Sequence, residues 1–256
     1  MQNVYCLQAQ ALLIIKAAYD KIRCINYFLG VIKAMFEGFT KETGDFLWEL
    51  TFNNERPWFL EHKEQFERCL KKPMDNLGKE VTALMDEDFP KKNWTLHLSR
   101  IYRDARRLFG RGPYKERMWF SIRAYEAGKE GPSLYFELGA ARWRYGLSYG
   151  YRAADMAAFR KAVDANPAKF ENIAKKIEKL NKYFIKGEEY KRVKGDKGQI
   201  INKYYNHKWL NIEHSEDFGG EIFEASLPET LAAAFKELMP AYDFILKAYL
   251  TDQTER

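Results

Sequence analysis

Hydrophobic and polar positions change their period twice along this chain. From about residue 43 to residue 88 the apolar side chains recur at helical spacing. Thr43 is expected to cap a short helix through Asp45, Phe46, Leu47, Trp48 and Leu50, which stops at Asn53-Asn54. Asn54 then caps a second helix, with Pro57 near its start where a missing N–H costs least. Trp58, Phe59, Phe66 and Leu70 form its inner stripe, and Pro73 closes it. Leu77, Val81 and Leu84 set the inward face of a third helix, ending at Asp86-Glu87-Asp88.

The period then shortens to two. Trp94, Leu96 and Leu98 alternate with Thr95, His97 and Ser99, Met118–Ile122 is a second strand, and Leu134, Phe136 and Leu138 make a third. Trp143, Tyr145, Leu147, Tyr149 and Tyr151 alternate with Arg144, Gly146, Ser148 and Gly150 in the clearest strand. Short connections imply an antiparallel sheet of about four or more strands. Gly146 and Gly150 share the face opposite the aromatics, where either another backbone or helix packs closely or a ligand does. Helical spacing returns over 153–181, broken at Asn166-Pro167, and again from Pro228 to Tyr249 with Pro240 inside. Residues 186–198 read as an exposed loop or hairpin. Helices from both the N- and C-terminal parts packed on such a sheet make the fold class α+β.

An apolar share of 46% with 30% charged residues excludes wholesale disorder. Residues 1–35 stand apart. Leu12, Ile15, Tyr19, Ile22 and Ile25 lie on one helical face, but Lys16, Asp20, Lys21, Arg23 and Lys33 leave no uncharged span able to cross a bilayer. Three readings compete there: a helix packed on the domain, a translated upstream segment with the natural start at Met35, and a membrane-surface arm. At this length the chain forms one large domain or two small ones. Cys6, Cys24 and Cys69 form no CxxC pair, which with the lack of a signal sequence suits a reducing, cytoplasmic setting.

Charge changes the picture more than composition does. Residues 91–130 hold eleven Lys/Arg against four Asp/Glu, whereas 41–90 hold twelve acids against seven bases. Such asymmetry favours an anionic partner. A second basic run, 175–197, reads as the solvated face of a helix. Within the first cluster, Arg100-Ile101-Tyr102-Arg103-Asp104-Ala105-Arg106-Arg107 is followed by Pro113-Tyr114-Lys115. If the strand from Trp94 continues to Asp104, then Arg100, Tyr102 and Asp104 share one face. Buried charges need partners, and two accounts stand: an oxyanion site built on arginine forks, or an internal network closed by Glu137, Glu126 or an acid of the first helices. His207, Glu213, His214, Glu216 and Asp217 match no familiar metal-ligand spacing and read as a solvated polar loop, so no metal or cofactor is expected. Cys69 lies among Arg68, Lys71 and Lys72, which would lower a thiol pKa if it were exposed, yet no histidine partner accompanies it.

Asn53-Asn54, Trp58-Phe59, His62-Lys63, then Arg100 to Asp104, Arg106 and Pro113-Tyr114-Lys115 resemble the bacterial and fungal domain family DUF2461, over roughly residues 36–250. The resemblance implies a single α+β domain over 36–250, with 251–256 as a tail, and carries no particular activity with it. Members follow the second arginine motif with a Phe-Ser-Lys-Asp-like stretch, where this chain has Arg107-Leu108-Phe109-Gly110.

Two function classes follow. In the first, Arg100, Arg103, Arg106, Arg111 and Lys115, with Arg107 and Arg117, bind a phosphate-bearing polymer such as nucleic acid, or an acidic partner. Tyr102, Tyr114 and Trp119 offer stacking faces in that reading. In the second, an enzyme holds a small phosphorylated or carboxylated substrate on the same arginines while Asp104 or His62 moves a proton.

Overall fold

A computed structural model describes residues 35–255. The alternatives for residues 1–35 fall on 1–34, which with Cys6 and Cys24 lie outside the described residues.

The first helix, α1 (Lys41–Phe52), starts one turn earlier than the sequence suggests, because Thr40 is the capping residue. The Thr40 N–H donates to Thr43 Oγ1 at 3.2 Å, while the buried Thr43 hydroxyl donates to the Cys69 carbonyl at 2.7 Å and ties α1 to the next helical layer. Asn54 does not cap α2 (Arg56–Glu61) either; Glu55 holds that position, and the Asn54 side chain is spent elsewhere. A single turn, α3 (Lys63–Phe66), passes through a π-turn at Glu67–Lys71 into α4 (Lys72–Asp88). Pro73 therefore lies in the first turn of a helix instead of closing one, and the Cys69 carbonyl one turn before it accepts from the Thr43 hydroxyl.

Four strands occupy the segments with period two: β1 (Trp94–Leu98), β2 (Arg117–Ala124), β3 (Ser133–Gly139) and β4 (Arg142–Tyr149). Helices α5 (Ala153–Ala165) and α6 (Pro167–Lys179) follow, divided at Asn166, whose side chain accepts from the Lys169 N–H at 3.0 Å. Three further elements follow: β5 (Phe184–Lys186) and α7 (Gln199–Tyr205), which the spacing does not predict, and β6 (Leu210–Asp217), where a solvated loop is expected. The chain ends on α8 (Leu227–Thr254), with Pro240 inside it. All neighbours in the sheet are antiparallel, in the order β1-β2-β3-β4-β6-β5.

Alternation gives this sheet two unlike faces. One carries Leu96, Met118, Phe120, Ile122, Leu134, Phe136, Leu138, Trp143, Tyr145, Leu147 and Ile212, nearly all buried. Helix α4 covers it over β1 and β2; a methyl group on Gly78 would stand 2.9 Å from Leu96 Cδ1. Helix α8 crosses β4, and its Tyr242 hydroxyl accepts from the Ala124 N–H at 2.8 Å. Each fully buried Phe or Leu of this layer contributes roughly 1.5–3 kcal/mol.

The other face is polar and largely open. Thr95, His97, Arg117, Trp119, Arg123, Tyr135, Glu137, Arg144, Ser148, Asn211 and Lys186 are exposed or half-exposed on it, with Ser121 and Glu213 buried among them. Gly146 lies on this face for a packing reason. A Cβ there would stand 2.1 Å from the Ile212 carbonyl oxygen and 2.8 Å from Glu213 Cα, so only glycine lets β4 and β6 approach so closely. Gly150, at φ +93°, faces Met156 and the Trp209 backbone.

Candidate functional site

The arginine-rich segment does not continue β1. The strand ends at Leu98, and the chain returns to sheet-like pairing only at an isolated bridge between Tyr102 and Tyr114. Around that bridge the motif residues form a staple. Arg103 donates from its backbone N–H to Pro113 O at 2.7 Å and from Nε to Tyr114 O at 2.7 Å, and its terminal nitrogen pairs with Glu116. Asn54 Nδ2 donates to the same Tyr114 carbonyl at 2.9 Å and to Glu116 Oε1 at 3.0 Å, while Asn54 Oδ1 accepts from the Tyr114 N–H at 2.9 Å. A side chain on Gly112 would collide with Asn54 at 2.3 Å. Tyr114 is buried, with its ring stacked on Phe59 at 4.0 Å. Asn54, Phe59, Arg103 and Tyr114 thus clamp the connection between β1 and β2 to the start of α2.

Glu116 closes this network, an acid the sequence reading did not name. Burial pushes its carboxyl up, but the hydrogen bonds from Arg103 and Asn54 outweigh that and hold it below the ordinary glutamate value. Asn53 caps α1, donating to the Glu49 carbonyl from its backbone N–H at 2.9 Å and from Nδ2 at 3.0 Å.

The remaining sequence-selected residues scatter. Arg106 and Asp104 form an exposed bidentate pair, Nε to Oδ1 at 3.1 Å and a terminal nitrogen to Oδ2 at 2.8 Å. Arg111 is exposed, with Nε donating to Leu108 O at 3.3 Å. Tyr102 is exposed, beside Tyr114 and Phe59. His62 stacks on Trp58 at 4.1 Å and places Nδ1 2.8 Å from the Trp58 carbonyl. Cys69 is buried, and burial, its largest influence, pushes the thiol up to about 12, the reverse of activation.

Arg100 and Lys115 lie where the staple meets the sheet. Lys115 Nζ donates to Arg100 O at 2.6 Å, and the Lys115 N–H donates to Ile101 O at 2.8 Å. Beyond them, on the open face, the His97 ring rests against Trp119 at 5.3 Å. Burial lowers the His97 pKa, and the charges of Arg123, Lys115, Arg100 and Lys129 lower it further.

Farther across the same face lies a network that the sequence reading missed. Glu137 pairs with Arg117 at 3.2 Å and with Arg144 at 2.5 Å. Glu213, wholly buried, accepts from the Tyr135 hydroxyl at 2.7 Å and meets Lys186 Nζ at 2.5 Å, with Arg144 at 3.8 Å. Burial pushes the Glu213 carboxyl up, yet Lys186, Tyr135 and Arg144 together hold it below its ordinary value. Residues 207–217 are therefore no solvated loop. Their signal was the alternation of Leu210, Ile212 and His214 with Asn211, Glu213 and Ser215, which is β6. Among the described residues, no group of three His, Cys, Asp or Glu is placed to hold a metal ion. No described helix is long and apolar enough to cross a membrane.

Within the basic run at 175–197, Lys175 pairs with Glu171, Lys182 with Glu237, Lys186 with Glu213 and Lys197 with Asp164. No curated protein matches this chain. Residues 42–244, from α1 into α8 and including the whole staple, match the family described as conserved hypothetical protein DUF2461. With four-fifths of its length matched and the Asn54–Arg103–Tyr114 clamp within that span, the chain belongs to the DUF2461 family.

Proposed function

We propose that this protein binds a phosphate-bearing anionic partner, single-stranded nucleic acid foremost, on the open face of its sheet over β1 and β2. The observation that carries the reading is the setting of His97, on which four cations, Arg123, Lys115, Arg100 and Lys129, act together. Like charges repel, so a face that gathers them favours an anion, with Glu137 on the same face already taken up by Arg117 and Arg144. Arg117 adds to this basic patch, and Arg106 and Arg111 extend it onto the exposed connection between β1 and β2. Trp119 and Tyr102 present rings on which bases stack, and stacking accepts any base. Tyr114 and Arg103 drop out of the binding set, since the staple consumes them. Catalysis by Asp104 or His62 has less support: Asp104 is paired with Arg106, and His62 rests on Trp58.

Fluorescence anisotropy with labelled single-stranded RNA, single-stranded DNA and duplex DNA tests this. Four cations on a single strand give a salt slope of about −3, so a fourfold rise in salt weakens binding about 50-fold. An Arg100→Ala/Lys115→Ala/Arg117→Ala variant, shown folded by circular dichroism, should bind more weakly and with a shallower slope. Absence of binding to all three probes at low salt overturns the reading and shifts attention to acidic proteins.

A further inference from the structure

We propose that Ser121 and Arg123 form the floor of a subsite for a phosphate monoester within this face, with His97 as its wall; this rests on the anion-binding reading above. Ser121 and Arg123 alternate along β2 and so point to the same side of the sheet. Ser121 is 2% exposed and its hydroxyl has no hydrogen-bond partner among the described residues. The Arg123 Nε is likewise sealed from solvent and unpartnered. Buried donors are ordinarily satisfied, and two unsatisfied ones adjacent on one strand face mark a place where an acceptor belongs.

The neighbours do not supply that acceptor. Across the ladder, Ser121 stands opposite His97 on β1 and Tyr135 on β3. The Tyr135 hydroxyl is committed to Glu213 at 2.7 Å, and the His97 ring lies against Trp119. A hydroxyl and a guanidinium N–H are both donors to a tetrahedral oxyanion. Arg100, Lys115 and Lys129 then provide the surrounding field, and the Arg123 charge belongs to the site itself. Four cations focused on one imidazole suit a dianion better than the single charge of a backbone diester. Hence a terminal phosphate is the group that fits, as on a 5′-phosphorylated strand or a small phosphorylated molecule.

Nuclear magnetic resonance titration of the His97 imidazole, with and without inorganic phosphate, tests the subsite. His62, His207 and His214 are internal controls. A bound dianion offsets the neighbouring cations, so phosphate should raise the His97 pKa by about one unit and leave the controls in place. Ser121→Ala, which keeps the shape, and Arg123→Lys, which keeps the charge but removes the guanidinium Nε, should each weaken that response about tenfold or more in phosphate concentration. The full-length protein should also prefer a 5′-phosphorylated RNA over the same strand with a 5′-hydroxyl. RNA binding without any phosphate effect at His97 overturns the subsite and leaves the binding face standing. A phosphate response that survives both substitutions overturns it as well. Loss of both RNA binding and the phosphate response sinks the subsite together with the face.

Discussion

Arg103 and Arg106 lie three residues apart in the same motif, yet the structure assigns them opposite behaviour. The Arg103 side chain is 14% exposed and makes two charge-assisted contacts, one to Tyr114 O at 2.7 Å and one to Glu116. Arg103→Ala removes both and leaves the Tyr114 carbonyl and Glu116 to Asn54 alone. Hydrogen bonds involving a charged group contribute about 1.5–3 kcal/mol each, and water reaches the half-exposed Glu116, so the net loss is about 2–4 kcal/mol. In a domain of this size each kcal/mol moves Tm by about 2–4 °C, which predicts a fall of roughly 4–16 °C. Arg106, by contrast, is 87% exposed in its pair with Asp104, and Arg106→Ala should leave Tm where it was. Calorimetry on the two variants, beside anisotropy with single-stranded RNA, separates stability from binding. The staple reading is refuted if Arg103→Ala keeps the parent Tm while oligonucleotide binding disappears, because the guanidinium would then be serving a ligand.

Two further predictions concern the sheet and its ionisation. Gly146→Ala should cost about 3 kcal/mol or more, since the new methyl meets backbone at 2.1 Å that cannot rotate away, whereas Gly139→Ala, with nothing nearer than 3.5 Å, should be far milder; urea midpoints decide, and equal midpoints would contradict the close approach of β4 and β6. Acid should destabilise in two stages: His97 and His207 are held below the ordinary 6.5, so stability complete above that value declines below it as the unfolded chain takes up protons the fold resists, and Glu116 and Glu213, held below 4.5, then lose their contribution as pH falls through their folded values. Urea midpoints that rise on acidification from about pH 7 to about pH 5 would contradict this sign.

What was legible in the sequence was local. Strands β1 to β4 follow from alternation because one face of the sheet is buried under α4 and α8, and a half-buried strand must write that asymmetry into every second residue. Strand β6 carries the same alternation, but Glu213 sits at a position that looks solvated by composition. It is buried because Lys186, Tyr135 and Arg144 converge on it from three other strands, and no reading confined to residues 207–217 can include them. Thr43 reads as the cap of α1 from the sequence for the same reason. Its hydroxyl is needed 26 residues away at Cys69, which leaves Thr40 to begin the helix.

The arginine motif shows the same divide within one short segment. Its charge was visible, but its division of labour depends on Asn54 and Glu116, the first of them about sixty residues distant from Tyr114. That division links fold to proposed function. The staple fixes Tyr114 through Asn54 and Arg103, and the next residue, Lys115, is then held by its N–H to Ile101 and by its ammonium to the Arg100 carbonyl. Lys115 is therefore positioned through two polar side chains, Asn54 and Arg103, that are spent within the staple. Substituting Asn54 should weaken anion binding only as far as it loosens this segment, whereas substituting Lys115 should weaken binding with the fold intact. The motif that first suggested a binding site is thus chiefly the frame that presents one, and the residues closest to the proposed anion, Ser121 and Arg123, lie outside it on β2.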